Sequence, residues 1–243
     1  MQRTFLAVEG NEGAGKSCFL DAAQSWAAEH EKKVFDLVAF GEREHRLPTP
    51  EELDGSDILL SREPSPAWIG EAIRQEVVVE GRRHYSGRQT AEAFALDRLV
   101  LYGRVLIPAF ERGIIVISDR SVASSLVYQP MMQDDAPTVE EIAKMPGNRL
   151  ALTFGPTHLV VMLVDPEEGR RRLAERREKI DNAIFERLTF MQKLYERYQS
   201  TWFQDFWKSR GTEVTMMDTT GTQIAHTRKR CTDFISTFFL HLC

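Results

Sequence analysis

Residues 5–29 constrain this chain more than any others, because they pass from an apolar strand through a glycine-rich turn into a helix with nothing between. Phe5-Leu6-Ala7-Val8 reads as a short buried strand. Gly10-Asn11-Glu12-Gly13-Ala14-Gly15-Lys16-Ser17 then fits G-x-x-x-x-G-K-[ST], and Phe19, Leu20, Ala23, Trp26 and Ala27 follow at helical spacing. Strand, glycine turn and helix together make a phosphate cradle. The glycines let the backbone approach with its N–H groups facing inward, and the helix N-terminus adds partial positive charge. The eight residues Gly10, Asn11, Glu12, Gly13, Ala14, Gly15, Lys16 and Ser17 are the expected nucleoside-triphosphate loop. In it, Lys16 reaches the β- and γ-phosphates and the Ser17 hydroxyl ligates Mg²⁺.

Composition narrows the class. The 243 residues are 42% hydrophobic and 28% charged, enough for one well-buried α/β core in a soluble chain. A formal net charge of −5 argues against a sequence-independent grip on nucleic acid. No apolar run approaches the length of a membrane span, and the first strand begins too near Met1 to leave room for a leader peptide. Cys18, Cys231 and Cys243 have no metal-ligand spacing, and an odd cysteine count suits a reducing compartment. Cys243, as the final residue, cannot head a prenylation box. The expectation is a cytoplasmic protein with neither nucleic acid nor membrane as partner.

Strand-like and helix-like segments alternate along the chain, which predicts parallel strands with helices on both faces. Val34 to Phe40 reads as a strand, 41–57 as a polar surface excursion, and Ile58 to Ser61 as another extended run. Which of the two apolar runs holds the second strand position is left open. Helices are expected over Trp68–Val79 and Thr90–Glu111, the latter stopped by Gly113. Ile114-Ile115-Val116-Ile117-Ser118 is a continuous apolar run of the kind buried on both faces of a sheet. Thr138 with Glu141 makes a capping box, and His158–Val164 is the next buried strand. A helix over Ala183–Lys208, a strand over Glu213–Met217 and a closing helix over Thr222–Leu240 complete the pattern. The closing helix carries Phe234, Ile235, Phe238, Phe239 and Leu242 at the spacing of a face packed on the sheet. There is no internal repeat and no linker. The expectation is one three-layer P-loop NTPase domain over 1–243, with an insertion around 41–57 and an Arg-rich lid around 167–182.

Asp119 and Arg120 follow the Ile114–Ser118 run at its C-terminal end, where doubly wound sheets bind ligands. Asp119 suits a metal-holding acid and Arg120 a bidentate phosphate clamp. Arg170, Arg171, Arg172, Arg176 and Arg177 are either a solvated helix face or a lid that brings positive charge to a transferring phosphoryl group. Arg172 and Arg176 fall on one helical face, and Asn11 and Glu12 leave the loop's variable positions without a cation, so the lid is preferred. Phe94 and Arg98 share a helical face as well. Spacing alone favours a core Phe94 and a surface Arg98; the sharper alternative is a nucleobase pocket.

Phe94-Ala95-Leu96-Asp97-Arg98, Ile107-Pro108-Ala109-Phe110-Glu111-Arg112-Gly113 and Ile115-Val116-Ile117-Ser118-Asp119-Arg120 together resemble the thymidylate kinases. So do the loop with Glu9 ahead of it, Arg62-Glu63-Pro64, Ser124-Ser125 and Tyr128-Gln129, in order from the first strand to Tyr198. The resemblance implies transfer of the ATP γ-phosphoryl group to dTMP, with Mg²⁺ at Ser17 and Asp119, usually in a homodimer. It implies that Phe94 stacks on thymine, Arg98 faces its O4, Ser125 lies near the base edge and Tyr128 lies under the sugar. It further implies Glu12 near the 3′-hydroxyl, and Arg120 and Arg62 at the acceptor phosphate. Lys16, Asp119, Arg120, Arg172 and Arg176 are then the catalytic set, in the subtype whose lid supplies the arginine. The chain departs from the family pattern at Ser65-Pro66-Ala67, Ser121, Pro130, Asn182 and Ile184, while Asp181 matches.

Two other readings make different demands. A deoxynucleoside kinase would phosphorylate a neutral 5′-hydroxyl and need a general base, for which Glu63 is the candidate, and Asp119-Arg120-Ser121 resembles that family's motif. A non-catalytic nucleotide-binding module would keep the loop without an acceptor site.

Overall fold

Alternation within the first strand decides how the layers stack. The computed structural model describes residues 3–78, 85–132, 135–175 and 188–240. Among them the chain runs β1 (Phe5–Gly10), α1 (Lys16–Glu29), β2 (Val34–Asp36), α2 (Leu37–Glu44), β3 (Ile58–Arg62), α3 (Ile69–Ala72), α4 (Gly87–Leu101), α5 (Ile107–Glu111) and β4 (Ile115–Asp119). It continues through α6 (Val122–Tyr128), α7 (Val139–Lys144), α8 (Pro146–Thr153), β5 (His158–Leu163), α9 (Pro166–Glu175), α10 (Leu188–Gln199), α11 (Thr201–Lys208), β6 (Glu213–Asp218) and α12 (Ile224–Leu240).

The strands form a six-stranded, all-parallel sheet in the order β2-β3-β4-β1-β5-β6. Phe5 and Ala7 of β1 face one core with Leu101, Leu194, Phe203 and Trp207; Leu6 and Val8 face another with Phe19, Cys231, Ile235 and Phe239. Period-2 side chains on a strand covered on both faces must be apolar throughout, which is why β1 reads as an unbroken run. Each such large side chain contributes roughly 2 kcal/mol by leaving water. The three-layer α/β fold is as expected, with α1 and α12 on one face and α4, α10 and α11 on the other.

The chain runs outward from β1 to β2, returns through β3 and β4, then crosses β1 to β5. At this reversal the register sets Asp119 beside Val8 and Arg62, and Gly10 beside Met162. The strand ends that carry the candidate residues therefore meet in one place.

Several boundaries differ from the sequence reading. The strand expected over Val34–Phe40 stops at Asp36, whose carboxylate accepts from the N–H groups of Val38 and Ala39 at 2.9 and 3.0 Å and starts α2. Both apolar runs are strands, with β2 outside β3. The 41–57 segment is not simply a surface excursion: Leu47 and Leu53 are buried. Arg46 binds Glu52 through two hydrogen bonds of 2.7 Å, and Arg112 donates to Asp54 at 2.7 Å.

The helix expected over Trp68–Val79 is a single α-turn that widens into a π-turn over Ile73–Val77, and Val79 lies outside the described residues. The long helix starts three residues earlier than expected, at Gly87, because Ser86 and Gln89 form a capping box. It widens over Tyr102–Leu106, ahead of Pro108, which cannot donate to the helix ladder. The last long helix is two, α10 and α11, because Ser200 leaves the helical conformation and its side chain caps Phe203 N–H. Residues 183–187 of that expectation, and Leu242, lie outside the described residues.

Candidate active site

The loop between β1 and α1 can hold its shape only with glycine at key points. Gly10 has φ 129°, and a Cβ there would lie 1.7 Å from the Met162 carbonyl oxygen. At Gly13, φ 80°, a Cβ would lie 2.7 Å from the Gly169 carbonyl oxygen. Gly15 precedes α1 with no side chain capping its first N–H groups, a terminus of the kind that attracts anions. Asn11 is buried and bonds Val164 in both directions, its Nδ2 donating to the carbonyl at 2.7 Å and its Oδ1 accepting from the N–H at 3.1 Å. Its side chain thus fastens the loop to the end of β5. Lys16 Nζ donates to the carbonyls of Gly10 (3.1 Å) and Asn11 (3.0 Å), and its pKa is lowered by burial and by the Arg120 charge. Ser17 is exposed on the first turn of α1.

Arg120 follows β4 in the left-handed region, φ 72°, with its N–H bonded to Val8 O at 2.9 Å. That conformation costs a non-glycine residue roughly 1–2 kcal/mol, held here by side-chain bonds on every side. Its guanidinium ion-pairs with Glu12 and donates to Tyr128 Oη at 3.0 Å and Ser124 Oγ at 3.1 Å. Tyr128 Oη also lies 2.9 Å from the Glu12 carboxylate and 3.1 Å from Gly10 O. Burial pushes the Tyr128 hydroxyl well above its ordinary pKa, so it stays a donor. Asp119 Oδ1 is buried and has no hydrogen-bond partner among the described residues.

Sequence reasoning missed Glu9 as a site residue. Its buried carboxylate accepts from Ser121 N (2.8 Å), Ser121 Oγ (2.7 Å), Ser124 Oγ (2.6 Å) and Tyr198 Oη (2.9 Å). Because Ser124 in turn receives Arg120, Glu9 holds the Arg120 end of the site to α10. The available signal was an acid closing an otherwise apolar strand.

On α4 the expected exposures are reversed. Arg98 is 2% exposed and Phe94 only half-buried. Arg98 donates to Glu63 Oε2 through Nε at 2.7 Å and Nη2 at 2.5 Å, and to Asn148 Oδ1 through Nη1. Asn148 is fixed by its own bond to Ile142 O at 2.8 Å. Burial raises the Glu63 pKa even with Arg98 opposing it, and Glu63 Oε1 has no partner among the described residues. Ser125 accepts from Gln129 Nε2 at 3.0 Å, leaving the buried Gln129 Oε1 open. Arg62, at the tip of β3, lies 3.7 Å from Glu42.

Of the arginines expected to form a lid, Arg171 is exposed and Arg172 is anchored. Arg172 binds Glu168 at 2.6 Å, Thr219 O at 2.7 Å and Gly13 O at 3.3 Å, joining α9 to the phosphate loop. Arg176, Arg177, Asp181, Asn182 and Ile184 lie outside the described residues.

Comparison with known proteins decides the family. A family model described as thymidylate kinase matches residues 50–214. A thymidylate kinase of Geobacillus thermodenitrificans is 30% identical over 201 residues, covering 82% of this chain and 77% of the relative. The chain belongs to the thymidylate kinase family. Others of that name, from Geobacillus sp. strain WCH70 and Clavibacter sepedonicus, are 28% and 27% identical, each again over 82% of this chain.

Three positions that depart from the thymidylate kinase pattern, Ser65, Ser121 and Pro130, have structural accounts. Ser65 binds Asp97 twice, through N–H (2.7 Å) and Oγ (2.6 Å). Ser121 caps α6 at Ala123 N (3.2 Å) while donating to Glu9. Pro130 sits in a short 3₁₀ turn, Gln129–Met131, where a missing N–H is tolerated.

Proposed function

We propose that the chain transfers the γ-phosphoryl group of ATP to dTMP, giving ADP and dTDP, within one kinase domain. The observation that carries this reading is the meeting of Lys16, Glu12, Arg120 and Tyr128 at the reversal of the sheet, in a thymidylate kinase sequence. The acceptor oxygen of a monophosphate is already anionic, so the step calls for no general base. It calls for two polyanions held in contact, which is a task for cations and backbone N–H groups.

In this reading Gly10, Asn11, Glu12, Gly13, Ala14, Gly15, Lys16 and Ser17 enclose the ATP phosphates, with Lys16 turning from the loop carbonyls to the β- and γ-phosphates. Arg120 exchanges Glu12 for the acceptor phosphate, with Arg62 beside it, and Glu12 is freed for the sugar 3′-hydroxyl. Tyr128 lies under the sugar. Phe94 stacks on thymine, Arg98 offers its remaining N–H groups to O4, and Ser125 lies at the base edge. The open Gln129 Oε1 suits the ring N–H. Arg172 and Arg176 supply lid charge.

Mg²⁺ is a fit on chemical grounds: Ser17 and Asp119 offer hard oxygen ligands, Asp119 Oδ1 is unpartnered, and magnesium completes its shell from phosphates and water. Held by Ser17 and Asp119, it would neutralise the charge that develops on the transferring phosphoryl group. The protein works in the cytoplasm, which the free, buried Cys18 and Cys231 suit, and as a homodimer.

The deoxynucleoside-kinase reading is not favoured. The base it requires, Glu63, is bound at 2.7 and 2.5 Å to Arg98. Assaying ADP release with dTMP, thymidine and other nucleosides and monophosphates as acceptors tests the proposal. Turnover with dTMP and none with thymidine supports it. Thymidine turnover, or nucleotide binding with no acceptor turned over, contradicts it.

A further inference from the structure

The segment that the function leaves unused is 41–57, and one of its carboxylates reaches the acceptor end of the cleft. α2 does not approach by chance. Gly41 packs so closely on the loop after β3 that a Cβ would lie 2.7 Å from Pro66 Cγ. That contact fixes the backbone next to Glu42 and keeps its carboxylate near Arg62, where the Nη2–Oε1 separation is 3.7 Å. Arg62 has little else to hold it: its Nε is buried with no partner among the described residues. A second guanidinium lies close behind. Arg74 donates to Pro64 O at 2.6 Å and to Ser65 O, and its pKa falls to about 10, first through burial and then through the like charge of Arg62. The Arg62 register partner is Asp119, so this positive pair borders the strand tips where Arg120 begins.

We propose that Glu42 is a built-in counter-ion that an incoming 5′-phosphate displaces from Arg62, so that the inserted segment lowers this kinase's affinity for its acceptor. The inference rests on the reading of Arg62 as an acceptor-phosphate residue. Its consequence is specific. A dianionic phosphate competes with the Glu42 carboxylate, whereas an uncharged nucleoside does not. Glu42 is exposed, so its hold on Arg62 is that of a surface ion pair, weak and screened by salt.

Calorimetric titration of dTMP and of thymidine into wild type, Glu42→Gln and Arg62→Ala tests this. Gln keeps the length and helix preference of Glu, and the position faces solvent, so the fold is undisturbed. In Glu42→Gln, dTMP is expected to bind about two- to fivefold more tightly at low salt, the range of an exposed ion pair. The gain shrinks as salt is added, and thymidine affinity is unchanged. Unchanged or weaker dTMP binding in Glu42→Gln overturns the inference, as does an equal gain for thymidine. Unaltered dTMP binding in Arg62→Ala instead overturns the placement of Arg62. Wild type that binds no dTMP overturns the proposed function itself.

Discussion

Arg98 shows how a single buried cation can be made rigid. A guanidinium taken out of water needs acceptors on all its nitrogens, and Glu63 and Asn148 supply them. With both acceptors in place, the placement of Arg98 at thymine O4 proposed above would favour a keto oxygen and leave an amino group unpaired. Asn148→Leu is expected to destabilise the fold by about 2 kcal/mol, the range for losing a hydrogen bond to a charged group, measured by urea unfolding. The same variant raises the KM for dTMP more than it lowers kcat, and an unchanged KM would remove Asn148 from the account. Lys16→Ala and Arg120→Ala are each expected to abolish turnover; near-normal turnover in either refutes its role. The shape of the loop before α1 was legible because it is local: glycines at fixed spacing, then Lys16. The partners of Arg98 and Glu9 were not, since helical spacing cannot say whether a polar side chain finds partners from β3 and α8, or from α6 and α10.

Local capping explains most of what the elements add. Val34 to Phe40 is apolar enough for one strand, yet the Asp36 carboxylate captures two N–H groups and turns the chain into α2. Ser200 divides α10 from α11 by the same device. A reading based on hydrophobic periodicity passes over both, because one polar residue within an apolar pattern counts as noise. It succeeds for β1, β4 and β5, where burial on both faces leaves no room for ambiguity.

The 41–57 segment also carries its own pH sensitivity. Glu52 has its pKa depressed to about 2, first by the Arg46 hydrogen bonds and then by Thr49 N–H. Its folded value lies below its unfolded one, so its stabilising contribution is present above about pH 4.5 and fades as pH falls towards 2. The stability difference between wild type and Glu52→Gln, from urea melts, is expected to narrow across that window. A constant difference contradicts the pairing.

The whole molecule carries a formal net charge of −5, yet must admit two polyanions. In the proposed reading it does so with cations from distant parts of the sequence, Lys16, Arg62, Arg120 and Arg172, set around one reversal in a parallel sheet. The three-layer architecture was legible in full, whereas contacts such as Arg172 to Gly13 were not, because nothing in the spacing ties α9 to the loop. α4 also turns Leu96 and Leu99 outward, 51% and 36% exposed.

The central claim is that donor and acceptor phosphates meet between Lys16 and Arg120. Its most direct measurement is the affinity of adenosine and thymidine joined 5′ to 5′ through a pentaphosphate, compared with ATP and dTMP alone. The account predicts binding tighter than either nucleotide in wild type, and loss of that advantage in both Lys16→Ala and Arg120→Ala. A linked compound that binds no better than ATP, or that keeps its advantage in both variants, would contradict it.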